Sequence, residues 1–234
     1  MSIAYKRVLL KLSGEALSAE SSIIDYDYIR EIGTVVRRCL DEGAEIAVVV
    51  GAGNIWRGRQ GFDMDRVRAD QMGMLATVIN SLAIQDAFIA EGVETVVMSA
   101  VEMNTFADQY TQRDAVKALE SGKVVVFGAG TGNPFFSTDT GAVLRACEIG
   151  ADAILMAKSI DGVYTADPKK DPEAKKLSET TYDYILENQL GVIDMTAASL
   201  ARDNDIKLCL FGLDKAENIY KVITGEHSGT VITK

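Results

Sequence analysis

The sequence predicts an α/β fold, a three-layer α/β/α sandwich in which helices cover both faces of a mainly parallel central sheet. Two observations carry this expectation. Short apolar runs recur along the chain, each ended by glycine or a polar turn, and stretches with helical spacing lie between them. The apolar runs cover 7–12, 46–50, 93–98, 124–127, 153–156 and 207–211. They are rich in Val, Ile and Leu and lack clean alternation, as strands buried on both faces do.

The helices follow in order. Residues 26–42 put Ile29, Ile32, Val35, Val36, Cys39 and Leu40 on one stripe, and Gly43 marks the stop. Residues 66–91 read as a long helix with Met72, Leu75, Ile79, Leu82 and Ala83 turned inward, ended by Gly92. Shorter helical segments at 111–120 and 138–148 stop at Gly122 and Gly150. The polar segment 166–176, with Pro168 and Pro172, reads as a surface loop. No linker, repeat or low-complexity stretch divides the chain, so one domain over 1–234 is expected.

Composition narrows the function classes. With 47% hydrophobic and 25% charged residues in 234, the chain is of the ordinary globular kind. Its uninterrupted apolar runs are strand-sized, and Lys6 and Lys11 break the one near the N-terminus. No small-residue cleavage site follows it, so neither a signal peptide nor a membrane segment is expected, and the location is read as cytoplasmic. Cys39, Cys147 and Cys209 are widely spaced and His227 is the only histidine, which fits buried reduced thiols and argues against a zinc site or a Cys- or His-based nucleophile. A formal net charge of −10 argues against nucleic-acid binding. Small anions remain admissible, because a few cations and backbone amides can dominate locally.

In open parallel sheets, ligands bind beyond the carboxyl ends of the strands. Here those ends are rich in glycine. The first runs into Lys11-Leu12-Ser13-Gly14, the second into Gly51-Ala52-Gly53-Asn54-Ile55-Trp56-Arg57, and the run at 124–127 into Gly128-Ala129-Gly130-Thr131-Gly132-Asn133-Pro134. Glycine lets backbone amides approach phosphate oxygens where a Cβ would obstruct. No GxxxxGK[ST] occurs, and Trp56 stands where a dinucleotide fingerprint needs its third glycine. Each loop alone can be a tight turn. Three together, one followed by an arginine, favour anion binding.

Side chains near these loops have two readings each. Lys11, at the end of an apolar strand, needs a charged partner unless it snorkels to solvent. Arg57 is either a bidentate phosphate fork or a surface arginine. Asp70 lies four residues after Arg66 on the long helix, where a solvated i,i+4 pair is its plain alternative. Pro134, Phe135 and Phe136 shape a narrow pocket with Thr131 and Asn133 as polar groups, or else a rigid turn.

These residues carry a resemblance. YKRVLLKLSGEAL, GAGNIWRG, ADQMGMLATVIN, GTGNPFFSTD, DGVYTADP and LARDN together resemble the bacterial uridylate kinases of the amino-acid kinase superfamily, over almost the whole chain. The resemblance implies transfer of the γ-phosphoryl group of ATP to UMP, giving UDP and ADP in pyrimidine nucleotide biosynthesis, with Mg²⁺ carried by ATP. It implies that Lys11, Leu12, Ser13, Gly14, Gly53 and Arg57 face the ATP phosphates, and that Tyr164 and Asp167 contact the adenosine. Asp70 is similar to the carboxylate that accepts the UMP ribose hydroxyls, and Ala52 to a glycine that approaches UMP. Thr131, Gly132, Asn133, Pro134, Phe135, Phe136, Ser137 and Thr138 match the segment that wraps the uridine and its phosphate. Asp194 resembles an acidic residue that orients the catalytic lysine, and Lys158 and Ser159 depart from the threonine and lysine found there in some members. A homohexamer with GTP activation and UTP inhibition is implied as well.

The chemistry has its own logic. A phosphate monoester has a second pKa near about 6, so the UMP phosphate is a ready nucleophile and no general base is needed. The remaining task is to bring two anions together by positioning and charge neutralisation. Two other readings use the same scaffold: a kinase of a small carboxylate or carbamate, and a nucleotide-sensing regulator without turnover.

Overall fold

The computed structural model of the chain describes residues 3–19, 21–56, 63–168, 170–226 and 229–234. Its strands are β1 (Arg7–Leu12), β2 (Glu45–Val50), β3 (Thr95–Ser99), β4 (Asp108–Gln109), β5 (Val124–Gly128), β6 (Ala153–Lys158), β7 (Val163–Tyr164), β8 (Lys176–Leu177), β9 (Glu179–Thr181), β10 (Lys207–Gly212) and β11 (Thr230–Thr233). The helices are α1 (Tyr26–Asp41), α2 (Arg66–Ala90), α3 (Gln112–Glu120), α4 (Thr138–Ile149), α5 (Tyr182–Glu187), α6 (Met195–Asp203) and α7 (Glu217–Ile223). Among the described residues one sheet runs β4-β3-β5-β2-β1-β6-β10-β11-β9, parallel except for the antiparallel pair of β10 and β11. The short strands β7 and β8 form a separate hairpin.

Strand β1 lies inside the sheet, with Lys11 in register with Val49 of β2 on one side and Met156 of β6 on the other. Successive side chains of a strand point to opposite faces, and the core divides accordingly. Val8, Leu10 and Leu12 pack with Ile46, Val48 and Val50 under α1, α2 and α7. Leu9 packs with Ala47 and Val49 under α3, α4, α5 and α6. Both faces of each central strand therefore need apolar residues, which is why the sequence shows continuous runs instead of alternation. Lys11 shares its face with Leu9 and so points towards the α4 side.

All six anticipated strands and four anticipated helices are present. Val93 is excluded from β3 because its amide donates to the Phe88 carbonyl and closes the end of α2. Side chains of Asp25, Asp65, Thr111, Ser137, Thr181 and Asp194 cap six of the helix N-termini. The expected loop at 166–176 falls between β7 and β8, except that Lys176 already belongs to β8 and residue 169 lies outside the described residues. Cys39 and Cys209 are buried and Cys147 half-buried; burial pushes all three thiols up, Cys39 to about 12, which makes them inert apolar side chains.

The expected inward face of α2 is corrected in part: Leu82 and Ala83 pack against the core, but the other three residues do not. Met72, Leu75 and Ile79 are exposed, at 38%, 51% and 50%. The buried face instead carries Ala69, Ala76, Val78, Ile84, Ala87 and Phe88, interleaved with Thr77, Asn80 and Ser81. Those buried polar groups bond to neighbouring backbone, so a hydropathy reading places the face wrongly. Helix α2 is also long and apolar enough to cross a bilayer by length and composition, yet its buried face packs on this sheet.

Phe88 is fully buried where α1 and α2 meet, and a Cβ on Gly33 of α1 would come within 3.0 Å of its ring. Phe88→Ala is expected to cost about 3–5 kcal/mol of unfolding free energy in urea titrations, the usual cost of emptying a large aromatic site.

Candidate active site

The three glycine loops meet because their strands β5, β2 and β1 are adjacent in the sheet and parallel. Gly14 is buried against the second loop. A Cβ there would stand 2.6 Å from the Gly53 nitrogen and 2.7 Å from the Gly51 oxygen, so the approach admits only glycine. The Gly51 amide donates to the Leu12 carbonyl at 3.0 Å. From α2, Asn80 (1% exposed) donates to the Gly51 oxygen at 2.8 Å and shares two hydrogen bonds with Asn54. Asn80 lies inside the ADQMGMLATVIN segment but was not anticipated as a loop anchor. Ser13 caps the turn Gly14–Leu17 by accepting from the Ala16 amide. The Leu12 side chain is fully buried in the core, so only its backbone belongs to this edge. Ala52 has no positive φ and accommodates its methyl without backbone strain. Arg57 and His227 lie outside the described residues.

Lys11 has the charged partner its position demands. Its Nζ lies 2.9 Å from Asp139 Oδ1, and Lys158 Nζ lies 3.0 Å from Asp139 Oδ2. Lys158 also donates to the Val192 carbonyl. Asp139 sits in the first turn of α4, and Lys158 ends β6, the strand next to β1. Burial works to raise the Asp139 pKa, but the Lys11 and Lys158 ammonium groups outweigh it and hold the carboxyl below its usual range. Burial pushes Lys158 down, partly offset by Asp139. Two cations thus share the Asp139 carboxylate at the ends of β1 and β6, and the Asp194 carboxylate also acts on Lys158.

This arrangement corrects the role expected of Asp194. Its carboxylate accepts from Ser137 Oγ, from Thr140 Oγ1 at 3.2 Å and from the Ala197 amide at 2.9 Å, capping α6 and tying it to α4. The carboxylate that orients Lys11 is Asp139. Neither Asp139 nor the pairing of Lys158 with it was anticipated. The signal available was a lone lysine at the end of each of two apolar strands, which asks for a buried acid nearby.

Two clefts flank this cluster. One, of about 300 Å³, is lined by Ala52, Asp70, Thr131, Asn133, Phe136, Ser137, Thr138 and Asp194. Asp70 Oδ2 accepts from Arg66 Nε at 2.8 Å and from the Phe135 amide at 2.7 Å, so the i,i+4 pair exists and also anchors the third glycine loop. Phe135 stands outside the lining, with the Arg66 guanidinium 5.3 Å from its ring centre. Pro134 and Gly132 belong to the same turn and line neither cleft. The second cleft, of about 660 Å³, is lined by Lys158, Tyr164, Asp167, Pro168, Gln189 and Gly191 among others. Thr138 borders the first cleft, and the next residue, Asp139, touches Lys158 of the second. The cation cluster thus lies between the two.

Removing one member of a buried ion cluster leaves the others uncompensated, at about 3–5 kcal/mol. Asp139→Asn is therefore expected to lower stability by roughly 3 kcal/mol at neutral pH. The folded pKa of Asp139 is depressed, so its contribution is present above the ordinary carboxylate range of about 4 and is lost as pH falls through the folded value. Urea titrations from about pH 7 to about pH 3 should show the gap between wild type and variant closing in acid; a gap independent of pH would contradict this electrostatic account.

Comparison with known proteins agrees with this geometry. Residues 6–212 match the amino acid kinase family. A UMP kinase from Bacillus anthracis is similar at 38% identity, over 98% of this chain and 96% of that one, with a TM-score of 0.93. A UMP kinase from Ureaplasma parvum gives the same identity and TM-score over 98% and 99%. A uridylate kinase from Archaeoglobus fulgidus is 30% identical over 96% and 99%, with a TM-score of 0.74. With the family matched over residues 6–212, the chain belongs to the amino acid kinase family.

Proposed function

We propose that this protein is a UMP kinase, transferring the γ-phosphoryl group of ATP to UMP to give UDP and ADP in pyrimidine nucleotide biosynthesis. The observation that carries the reading is a buried cation cluster, Lys11 and Lys158 on Asp139, set between two nucleotide-sized clefts. Similarity to UMP kinases over nearly the whole chain supports the choice of acceptor.

ATP occupies the larger cleft, its adenosine beside Tyr164 and Asp167, with its phosphates against Ser13, Gly14, Gly53 and Arg57. UMP occupies the smaller one, its ribose at Asp70 and its phosphate along the loop from Thr131 to Thr138. A UMP phosphate oxygen attacks the γ-phosphorus while the bond to the β–γ bridging oxygen breaks, and ADP leaves. Lys11 and Lys158 neutralise charge on the transferred group and its neighbours, and Asp139 keeps both ammonium groups aimed. Asp139 and Asp194 are already engaged by lysines, hydroxyls and an amide. A magnesium ion carried with ATP would be held by the ATP oxygens and would shield phosphate charge there.

The remaining features belong to the same proposal: one domain, a cytoplasmic location, and a homohexamer with GTP and UTP as effectors. The continuous sheet supports the first. The exposed apolar stripe of Leu75 and Ile79, with Phe106 (65% exposed) beside it, supports assembly between copies of the chain.

ADP release from ATP and Mg²⁺ should be followed with UMP, CMP, dUMP, AMP, carbamate and acetylglutamate as acceptors. Turnover favouring UMP is expected; turnover on a non-nucleotide acceptor, or UMP binding without turnover, would sink the reading. Lys11→Met should remove about 3–4 kcal/mol of transition-state stabilisation while the fold survives, since Asp139 retains Lys158. Ile79→Glu should yield a smaller particle by sedimentation with an unchanged circular-dichroism spectrum; an unaltered assembly would remove this face of α2 from the interface.

A further inference from the structure

Arg145 on α4 is only 5% exposed, and the proposed phosphoryl transfer gives it no task. A buried guanidinium requires partners, and its partners form a compact clamp. Its Nη1 pairs with Glu148 Oε2, and its Cζ stands 4.0 Å above the centre of the Tyr110 ring. The Tyr110 hydroxyl donates to the same Glu148 oxygen at 2.6 Å, and the Tyr110 ring meets Phe127 of β5 edge-on at 5.4 Å. The second arm of the guanidinium, Nη2, donates to the Gly130 carbonyl at 3.3 Å.

Gly130 lines the smaller cleft and sits in a loop with an unusual backbone. Ala129, Gly130 and Gly132 have φ of 61°, 57° and 78°. Two consecutive left-handed residues, the first of them an alanine, do not persist unless the surroundings hold them. Thr77 of α2 accepts from the Ala129 amide at 3.0 Å, which fixes one side. Arg145 holds the adjacent carbonyl from the α4 side.

We infer that Arg145 is a positioning residue for the acceptor loop: the Arg145–Glu148–Tyr110 clamp fixes the Gly130 carbonyl and so sets the path of Thr131 to Thr138 along the smaller cleft. The inference rests on the reading that this cleft takes UMP. It assigns Arg145 no contact with substrate. Its effect is specific to one of the two clefts, because Gly130 borders only the smaller.

The test compares Arg145→Met and Arg145→Lys by steady-state kinetics and by amide hydrogen exchange. In Arg145→Met the KM for UMP should rise about ten-fold, the scale of a lost hydrogen bond from a charged group, with the KM for ATP within about two-fold. Exchange over 129–136 should quicken while β1 and α6 keep their protection, and Arg145→Lys should recover part of both effects. Unchanged loop exchange, or KM values for UMP and ATP rising together with general loosening, would overturn the inference in favour of a merely structural arginine. Should Arg145→Met fail to fold, Tyr110→Phe keeps the ring and removes the hydroxyl from Glu148. A selective rise of about two-fold in the KM for UMP is then expected, and no change overturns the clamp. A wild-type protein that does not phosphorylate UMP would overturn the functional proposal, while loop exchange in the variants would still decide whether Arg145 holds the loop.

Discussion

A lysine on an interior strand of a parallel sheet, almost sealed from solvent, sets the terms for everything around it. Lys11 cannot be buried there alone, and the sandwich supplies Asp139 from the first turn of the overlying helix. That carboxylate in turn takes a second lysine from the neighbouring strand. The three groups are held by two strands and a helix, the rigid parts of the fold, so their separation does not depend on loop conformation. A buried ion cluster of this kind is a poor source of stability, since desolvation offsets most of the Coulombic gain. What it supplies is two ammonium groups held in fixed positions between the two clefts.

The glycine loops follow from the same placement. Once Lys11 is set, the next residues must turn within the space left by the second loop, and Gly14 approaches Gly51 and Gly53 too closely for any side chain. Asn80 then satisfies the turned backbone from α2. This polar duty explains why α2 buries Thr77, Asn80 and Ser81 and exposes Leu75 and Ile79. A helix usually read by its hydropathy is here oriented by the hydrogen bonds of the loops it supports.

This division also explains what was legible in the sequence. Strands buried on both faces announce themselves as apolar runs, and glycines mark where most of them end, so the sheet, its parallel character and the edge where the glycine loops gather were readable. The strands β4, β7, β8 and β9 have two or three residues each, and α5 and α7 have six and seven, too brief for periodicity to register. Helix α6 is as long as α3, but its buried face is made of Ala197, Ala198 and Ala201, a weak apolar signal. Asp139 was hidden for a different reason. An acidic residue in the first turn of a helix is ordinary, favoured there by the helix dipole, and nothing local distinguishes one that points at a lysine 128 positions earlier. Lys158 was visible as a departure from a family pattern, but its meaning depends on Asp139. Pairwise partners at long sequence separation are set by the packing of α4 on β1 and β6, which one sequence does not display.

Asp70 shows how the acceptor side is coupled to this frame. One of its oxygens already binds Arg66 and the Phe135 amide, and Phe135 itself has a φ of 73°, a conformation a phenylalanine adopts only when it is held. The carboxylate proposed to receive ribose hydroxyls is therefore also the anchor of the loop proposed to receive the phosphate. A ribose approaching Asp70 must use its other oxygen or displace one of these donors. In either case recognition of the sugar bears directly on the loop that aims the nucleophile at the Lys11 cluster. On this geometry a phosphate without its nucleoside meets the cations but not the anchor, and a small carboxylate meets neither clasp of the loop. Under the proposed assignment, an acceptor carrying both ribose and phosphate would engage both ends of this one strained turn.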